Sequence, residues 1–98
     1  MSFTLRRTAV AEEQYAAIVG DAGKLKILTA VQKCLGFLQL NPRHPGLNSH
    51  KFDSLVGAGG EEVFEVYAQN QTPGAYRVFW HYGPGKNVLT IIAITPHP

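Results

Sequence analysis

The hydrophobic pattern of this chain changes its period once, between residues 41 and 60, and this change constrains the fold more than any other feature. Before it, apolar residues recur at steps typical of one helix face. After it, apolar and polar residues alternate, as in strands with one covered face. A chain of 98 residues is long enough for one core and too short for two. We therefore predict a single domain over residues 1–98, with helices first and a sheet after them.

Two helices are predicted in the first half of the chain. Residues 9–20 are rich in alanine, and Gly20 stands where a helix C-terminus is expected. Residues 24–40 carry the clearest helical pattern, and Pro42 predicts its end because proline disfavours helical geometry in the residue before it. The buried stripe of this second helix consists of Leu28, Val31, Leu35 and Leu38.

Four strands are predicted, at residues 3–7, 62–69, 75–82 and 88–95. Turn-forming residues separate the last three, which predicts a hairpin between 62–69 and 75–82. Residues 41–50 are expected to form a polar loop. The economical arrangement is an α+β fold with two N-terminal helices packed on a mainly antiparallel sheet of about four strands. In this arrangement the first strand lies beside the last.

Composition excludes several classes of protein. The chain is 45% hydrophobic and its net charge is +2, which is not the composition of a disordered protein. The single cysteine, Cys34, excludes an internal disulfide and a multi-cysteine zinc site, and it fits a reducing compartment. No apolar run approaches the ~18–20 residues that cross a bilayer, and no secretory signal is evident. We therefore expect a cytoplasmic protein without membrane contact.

Neither a metal nor a cofactor is predicted. The four histidines do not form the paired spacings of helical zinc sites, and Cys34 lies in the apolar part of a predicted helix, where it is expected to pack. The glycine-rich segments 57–60 and 83–85 lack the spacing and the following helix of phosphate-binding loops. We interpret both segments as ordinary turns.

Arg77 is the most informative charged residue. It lies inside the hydrophobic strand 75–82, where an unpaired guanidinium would be costly to bury. One hypothesis is a salt bridge with Glu65 on the preceding strand. The other is a rigid, always-charged group held on the sheet to bind a phosphate or a carboxylate. The sequence leaves both open. His97 directly follows the last predicted strand, which should hold it in place.

Four segments resemble, in their order, the RelE/ParE superfamily of bacterial toxins: LQLNPRHPGL at the end of the second helix, then HKFDSLVG, AYRVFWHY and LTIIAITPHP. The specific part of the resemblance is residues 38–98. It implies a small α+β domain that is the toxin of a type II toxin–antitoxin pair, with a cognate antitoxin protein as partner. The helix face that carries Lys24, Lys26 and Lys33 is expected to receive an acidic antitoxin segment.

In the RNA-cleaving branch of the superfamily, the resemblance implies a metal-free endoribonuclease that cleaves messenger RNA on the ribosome. The RNA 2′-OH attacks the adjacent phosphate, a step that needs a base, a cation and an acid. By the resemblance, Arg77 stabilises the phosphate and His97 is the general acid. His50 and Lys51 lie in the segment that supplies a base or a phosphate contact.

Two alternatives to RNA cleavage stay open. A ParE-like member binds and poisons DNA gyrase without cutting RNA, and a protein of the same fold without toxicity would serve as an interaction module. The presence of Arg77, His97 and His50 together favours RNA cleavage. The low net charge and the absence of a tyrosine after His97 favour the alternatives.

Strand alternation predicts which residues share a face with Arg77. If Arg77 lies on the open face of its strand, Phe79 and His81 share that face. The residues that then face the helices are Tyr76, Val78 and Trp80.

The same alternation predicts a site. His97 should lie at the rim of the open face, with His50 or Lys51 approaching from the preceding loop. We expect these side chains and Arg77 to form a shallow basic cleft for one RNA phosphodiester, with the sheet as its floor.

Overall fold

Two helices cover one face of a five-stranded sheet in the computed structural model, which describes residues 2–70 and 73–97. The helices are α1 (Ala9–Val19) and α2 (Leu25–Leu40). The strands, in chain order, are β1 (Thr4–Arg7), β2 (His50–Val56), β3 (Glu62–Tyr67), β4 (Tyr76–Tyr82) and β5 (Val88–Pro96).

Local hydrogen bonds set the ends of the helices. The hydroxyl of Thr8 accepts from the backbone N–H of Ala11 at 3.2 Å, which caps the start of α1. Gly20 ends α1, and a short 3₁₀ turn over Ala22–Lys24 leads directly into α2. The predicted helices at 9–20 and 24–40 are thus confirmed to within one residue at each end.

The sheet has the strand order β1-β5-β4-β3-β2. β1 runs parallel to β5, and the other three pairs are antiparallel. The predicted position of the first strand beside the last is confirmed, and so is the β3–β4 hairpin. The expected count of about four strands is corrected to five.

The additional strand is β2, at one edge of the sheet. The expectation that His50 and Lys51 approach from a loop is wrong, because both lie on β2 and pair with Glu65 and Phe64 of β3. The register of this pair shifts between Lys51 and Val56, so the alternation of apolar and polar residues does not persist along the strand. The hydrophobic period therefore gave no clear signal for it.

The core lies between the helices and the sheet. Tyr76, Val78 and Trp80 belong to one buried cluster with residues of both helices, which confirms the predicted helix-facing side of β4. Trp80 and Leu38 are among the largest side chains that are fully buried. None of the helices formed by the described residues is long and apolar enough to cross a membrane.

Leu38 provides a test of the helix–sheet interface. We expect Leu38→Ala to lower the free energy of unfolding by about 3 kcal/mol, because Leu38 is 0% exposed and its truncation leaves a cavity. Leu40→Ala is the matched control: Leu40 is 67% exposed, and the change should stay within about 0.5 kcal/mol. Urea denaturation measures both. Equal losses for the two variants would contradict the orientation of α2.

Candidate functional site

Three side chains meet on the face of the sheet that points away from the helices. Glu65 of β3 lies between His50 of β2 and Arg77 of β4. Its Oε1 is 2.7 Å from His50 Nε2, and its Oε2 accepts a hydrogen bond from Arg77 Nη1 at 3.0 Å. The pairing of three neighbouring strands thus assembles a contact network, His50–Glu65–Arg77, which we name the charged cluster.

Burial differs strongly within the charged cluster. The side chains of Glu65 and Arg77 are 6% and 12% exposed, whereas that of His50 is 50% exposed. The first hypothesis for Arg77, a salt bridge with Glu65, is therefore confirmed. The Arg77 guanidinium also lies 4.8 Å from the centre of the Phe79 ring. These contacts hold Arg77 rigidly and leave His50 as the accessible member of the cluster.

His50 contacts an acceptor at each ring nitrogen. Nδ1 is 3.1 Å from the carbonyl oxygen of Asn48, and Nε2 faces the Glu65 carboxylate. With Glu65 ionised, both contacts are hydrogen bonds at the same time only when the ring carries both protons.

His97 lies on the same face, beyond Tyr67. The two rings stack with their centroids 6.2 Å apart. The backbone N–H of His97 donates to Ala75, and its carbonyl accepts from Gly74, so the β4–β5 ladder continues past Pro96. Alternation along β5 places His97 on the side of Thr95, which lies opposite Arg77. The last strand thus fixes His97 as the sequence predicted.

Lys51 does not join the charged cluster. It lies opposite Phe64, a residue that packs on the helix side of the sheet. Its Nζ is 3.0 Å from Glu62 and 3.6 Å from Asp53, and the hydrogen bond to Glu62 is the main cause that raises the pKa of Lys51. Of the two residues expected from this segment, the structure brings His50 to Glu65, the carboxylate that also binds Arg77, and turns Lys51 away.

The face that carries Arg77 is covered over part of its length. Phe79 and His81 share this face as predicted, but both are buried, so the expectation of an open face along the whole strand is wrong. Phe52 of β2 packs on Phe79 with ring centroids 4.8 Å apart. A Cβ added at Gly57 would come within 3.0 Å of His81 Cδ2, so the chain after β2 closes over His81.

An accessible groove of about 650 Å³ lies beside His50 and Tyr67, and Arg77 and His97 are not among its lining residues. Its remaining lining is mostly polar: Gly46, Leu47, Asn48, Ser49, Gln69 and Asn70. Tyr67 thus lines the groove, and its ring also stacks on that of His97. The sequence analysis did not select Tyr67 as a site residue, because in the sequence it is only one of several residues in an alternating strand.

Cys34 has no catalytic features. Burial raises the pKa of its thiol to about 12, so the thiolate is scarce at neutral pH. The interpretation of Cys34 as a core residue is confirmed. Within residues 2–70 and 73–97, no group of three or more His, Cys, Asp or Glu side chains is placed to hold a metal ion.

Three solved structures share the fold over nearly the whole chain. The archaeal RelE–RelB complex from Pyrococcus horikoshii OT3 is 14% identical, with a TM-score of 0.65, covering 98% of this chain and 96% of its own. The YoeB/ParE toxin from Agrobacterium tumefaciens is 10% identical, with a TM-score of 0.70 and coverages of 97% and 99%. The YoeB dimer from Staphylococcus aureus is 13% identical, with a TM-score of 0.68 and coverages of 100% and 100%.

No protein-family model matches the chain, and no curated protein sequence matches it significantly. The structural likeness alone therefore establishes the relationship at the level of the fold. The chain has a RelE/ParE-like fold, as the four sequence segments predicted.

Proposed function

We propose that this chain is the toxin of a toxin–antitoxin pair and that it cleaves messenger RNA by 2′-OH attack without a metal. The observation that carries the proposal is the charged cluster, in which one buried carboxylate holds Arg77 and an accessible His50. His97 lies on the same face beyond Tyr67. A phosphodiester fits this arrangement because it needs a cation for its developing charge and proton-transfer groups near it.

His50 is the proposed base. Its Nε2 is tied to Glu65, so Nδ1 is the nitrogen that accepts the 2′-OH proton, as in other pairs in which a carboxylate orients a histidine. The contact of Nδ1 with the Asn48 carbonyl then becomes a hydrogen bond donated by the protonated ring.

Arg77 and His97 have the other two roles. Only one of the five guanidinium donors of Arg77 is bonded to Glu65, and the positive charge stabilises the phosphorane as the 2′-oxygen bonds to phosphorus. His97 gives a proton to the leaving 5′-oxygen. The products are a 2′,3′-cyclic phosphate on one fragment and a 5′-hydroxyl on the other.

The proposed partner is a cognate antitoxin with an acidic, amphipathic segment that docks on α2. Lys26 and Lys33 are exposed on this helix, and so are the apolar side chains of Phe37 and Leu40. Lys24 is less available, because its Nζ donates to the hydroxyl of Tyr76 at 3.2 Å. Co-purification with the product of the adjacent gene tests this partner, and a chain that purifies alone would argue against it.

A second candidate is a toxin that binds DNA gyrase and does not cut RNA. The observation that favours it is the salt bridge itself, because Glu65 neutralises much of the charge of an Arg77 that is 12% exposed. In this case the cluster would have a structural role and the toxic surface would lie elsewhere.

Induced expression in a bacterial host separates these functions. Translation arrest without a DNA-damage response is the result expected for RNA cleavage. A DNA-damage response would instead support the gyrase-binding candidate, and normal growth with neither response would support a non-toxic interaction module. Protein synthesis and a DNA-damage reporter are followed in the same culture.

His97 and Lys51 provide a matched pair of variants. We expect His97→Ala to slow RNA cleavage about 100-fold, because the leaving oxygen loses its acid. Lys51→Ala should change the rate less than about twofold, because Lys51 pairs with Glu62 and Asp53 rather than with the cluster. Single-turnover cleavage of one RNA substrate measures both. A similar loss in the two variants would contradict the assigned role of His97.

A further inference from the structure

A second cavity lies on the helix side of the sheet, beyond the C-terminal end of α2. Its volume is about 520 Å³, within the range of small-molecule sites. One wall consists of the rings of Phe64, Trp80 and Tyr82, and the residues of the opposite wall that matter here are Arg43, His44 and Ser49. We name it the aromatic cavity.

The three rings of the aromatic cavity form a fixed platform. Phe64 stacks on Trp80 with centroids 4.8 Å apart and an interplanar angle of 24°. Tyr82 contacts both rings edge-on, at 5.0 Å from Trp80 and 5.9 Å from Phe64. Trp80 is fully buried, whereas Phe64 and Tyr82 are partly exposed. Their exposed ring surface can receive another flat ring by stacking.

Two polar atoms of the aromatic cavity lack a partner. Trp80 Nε1 and Ser49 Oγ are buried, and neither has a hydrogen bond to any of the described residues. The indole nitrogen can only donate, and the hydroxyl can donate or accept. Because both atoms have almost no accessible surface, a ligand in the cavity does not reach them, and its recognition rests on the aromatic rings and the basic side chains.

The charge of the aromatic cavity is positive. Arg43 has no ion pair among the residues that the structure describes, and no acidic side chain lines the cavity. His44 accepts the Gly46 N–H at Nδ1, so its Nε2 carries the ring proton and is a donor. These two side chains suit an anionic group, and the planar fork of the Arg43 guanidinium matches the geometry of a phosphate.

We propose that the aromatic cavity binds one nucleotide. The base stacks on the exposed surface of Phe64 and Tyr82, and its phosphate lies on Arg43 and His44. A peptide that binds through an acidic side chain would meet Arg43 and His44 but would leave the exposed ring surface of Phe64 and Tyr82 without a stacking partner.

The aromatic cavity adjoins the groove beside the charged cluster. Asn48 and Ser49 line both, on the two sides of the segment that leads into β2. A nucleotide in the cavity is therefore either a free mononucleotide or one unit of an RNA chain that crosses this edge of the sheet. The site goes beyond the proposed function, because it recognises a base away from the bond that is cleaved and does not depend on cleavage.

Trp80 provides a direct measurement of this site. It is the only tryptophan, so its indole N–H gives one assigned signal in a ¹⁵N–¹H spectrum. Titration with AMP, GMP, CMP and UMP is expected to shift this signal saturably for at least one of the four. The matching nucleoside without phosphate should bind about tenfold more weakly. Tighter binding of a short oligoribonucleotide of the same base would identify RNA as the ligand of the aromatic cavity. Equal binding of the two would identify the free nucleotide as the ligand.

Variants complete the test. Arg43→Ala is expected to weaken binding about tenfold, whereas Arg6→Ala, on β1 at the opposite edge of the sheet, should leave it unchanged. The proposal is overturned if none of the four nucleotides shifts the indole signal, if Arg43→Ala binds like the wild type, or if only an acidic peptide produces the shift. Nucleotide binding is measured with the indole signal and cleavage with the RNA ends, so failure of RNA cleavage and failure of this site are distinguishable.

Discussion

Replacing Arg77 by alanine is expected to slow RNA cleavage about 100- to 1,000-fold and to remove toxicity. The loss corresponds to about 3–4 kcal/mol of transition-state stabilisation, the usual effect of removing one preorganised donor. Single-turnover cleavage by the purified variant gives the rate, and induced expression gives the toxicity.

The salt bridge to Glu65 requires a control for stability. Arg77→Ala leaves a nearly buried carboxylate with His50 as its remaining partner, so the variant loses stability as well as a donor. The double variant Glu65→Gln with Arg77→Met removes both charges and keeps the side-chain volumes close to the original. We expect it to fold and to be as inactive as Arg77→Ala, because it lacks the same guanidinium. Circular dichroism verifies the folded fraction of each.

The opposite outcome for Arg77 is equally informative. If folded Arg77→Ala cleaved RNA at the wild-type rate, the guanidinium would have a structural role only. The gyrase-binding candidate would then replace the proposed function.

The second large effect is on stability, at Glu65. We expect Glu65→Ala to lower the free energy of unfolding by about 3–5 kcal/mol, because it leaves the guanidinium of Arg77 buried without a counter-charge. The variant also removes the contact with His50 Nε2. Urea denaturation measures the loss.

Glu62→Ala is the matched control for Glu65→Ala. Glu62 lies on the same strand, and its ion pair with Lys51 has the same length, 3.0 Å, as that of Glu65 with Arg77. Its side chain is 59% exposed, so the loss should stay below about 1 kcal/mol. Similar losses for the two variants would contradict the burial of the charged cluster.

The sequence predicted the elements that have a regular hydrophobic period. α2 and the β3–β4 hairpin lie where the spacing of apolar residues indicated, and β1 pairs with β5. β2 was missed for two reasons. Its register with β3 shifts, and it lies at the edge of the sheet, where most of its residues are exposed to solvent. An edge strand of this kind needs no strict alternation.

The contacts of the candidate site were predictable only where both residues lie on one strand or on two strands that are consecutive in the sequence and joined by a hairpin. The contact of Arg77 with Glu65 follows from the hairpin and was one of two hypotheses. The contact of His50 with Glu65 depends on the pairing of β2, and no local pattern contains that information. The stacking of Tyr67 on His97 likewise joins two strands that are not neighbours in the sheet.

The chemistry of the RNA ends tests the central proposal most directly. Purified protein is incubated with ribosomes that carry a defined messenger RNA, and the fragments are analysed by mass spectrometry. The expected result is a 2′,3′-cyclic phosphate on the upstream fragment and a 5′-hydroxyl on the downstream one, because the 2′-OH is the nucleophile. Intact RNA, or fragments with a 5′-phosphate, would contradict cleavage by the charged cluster and His97.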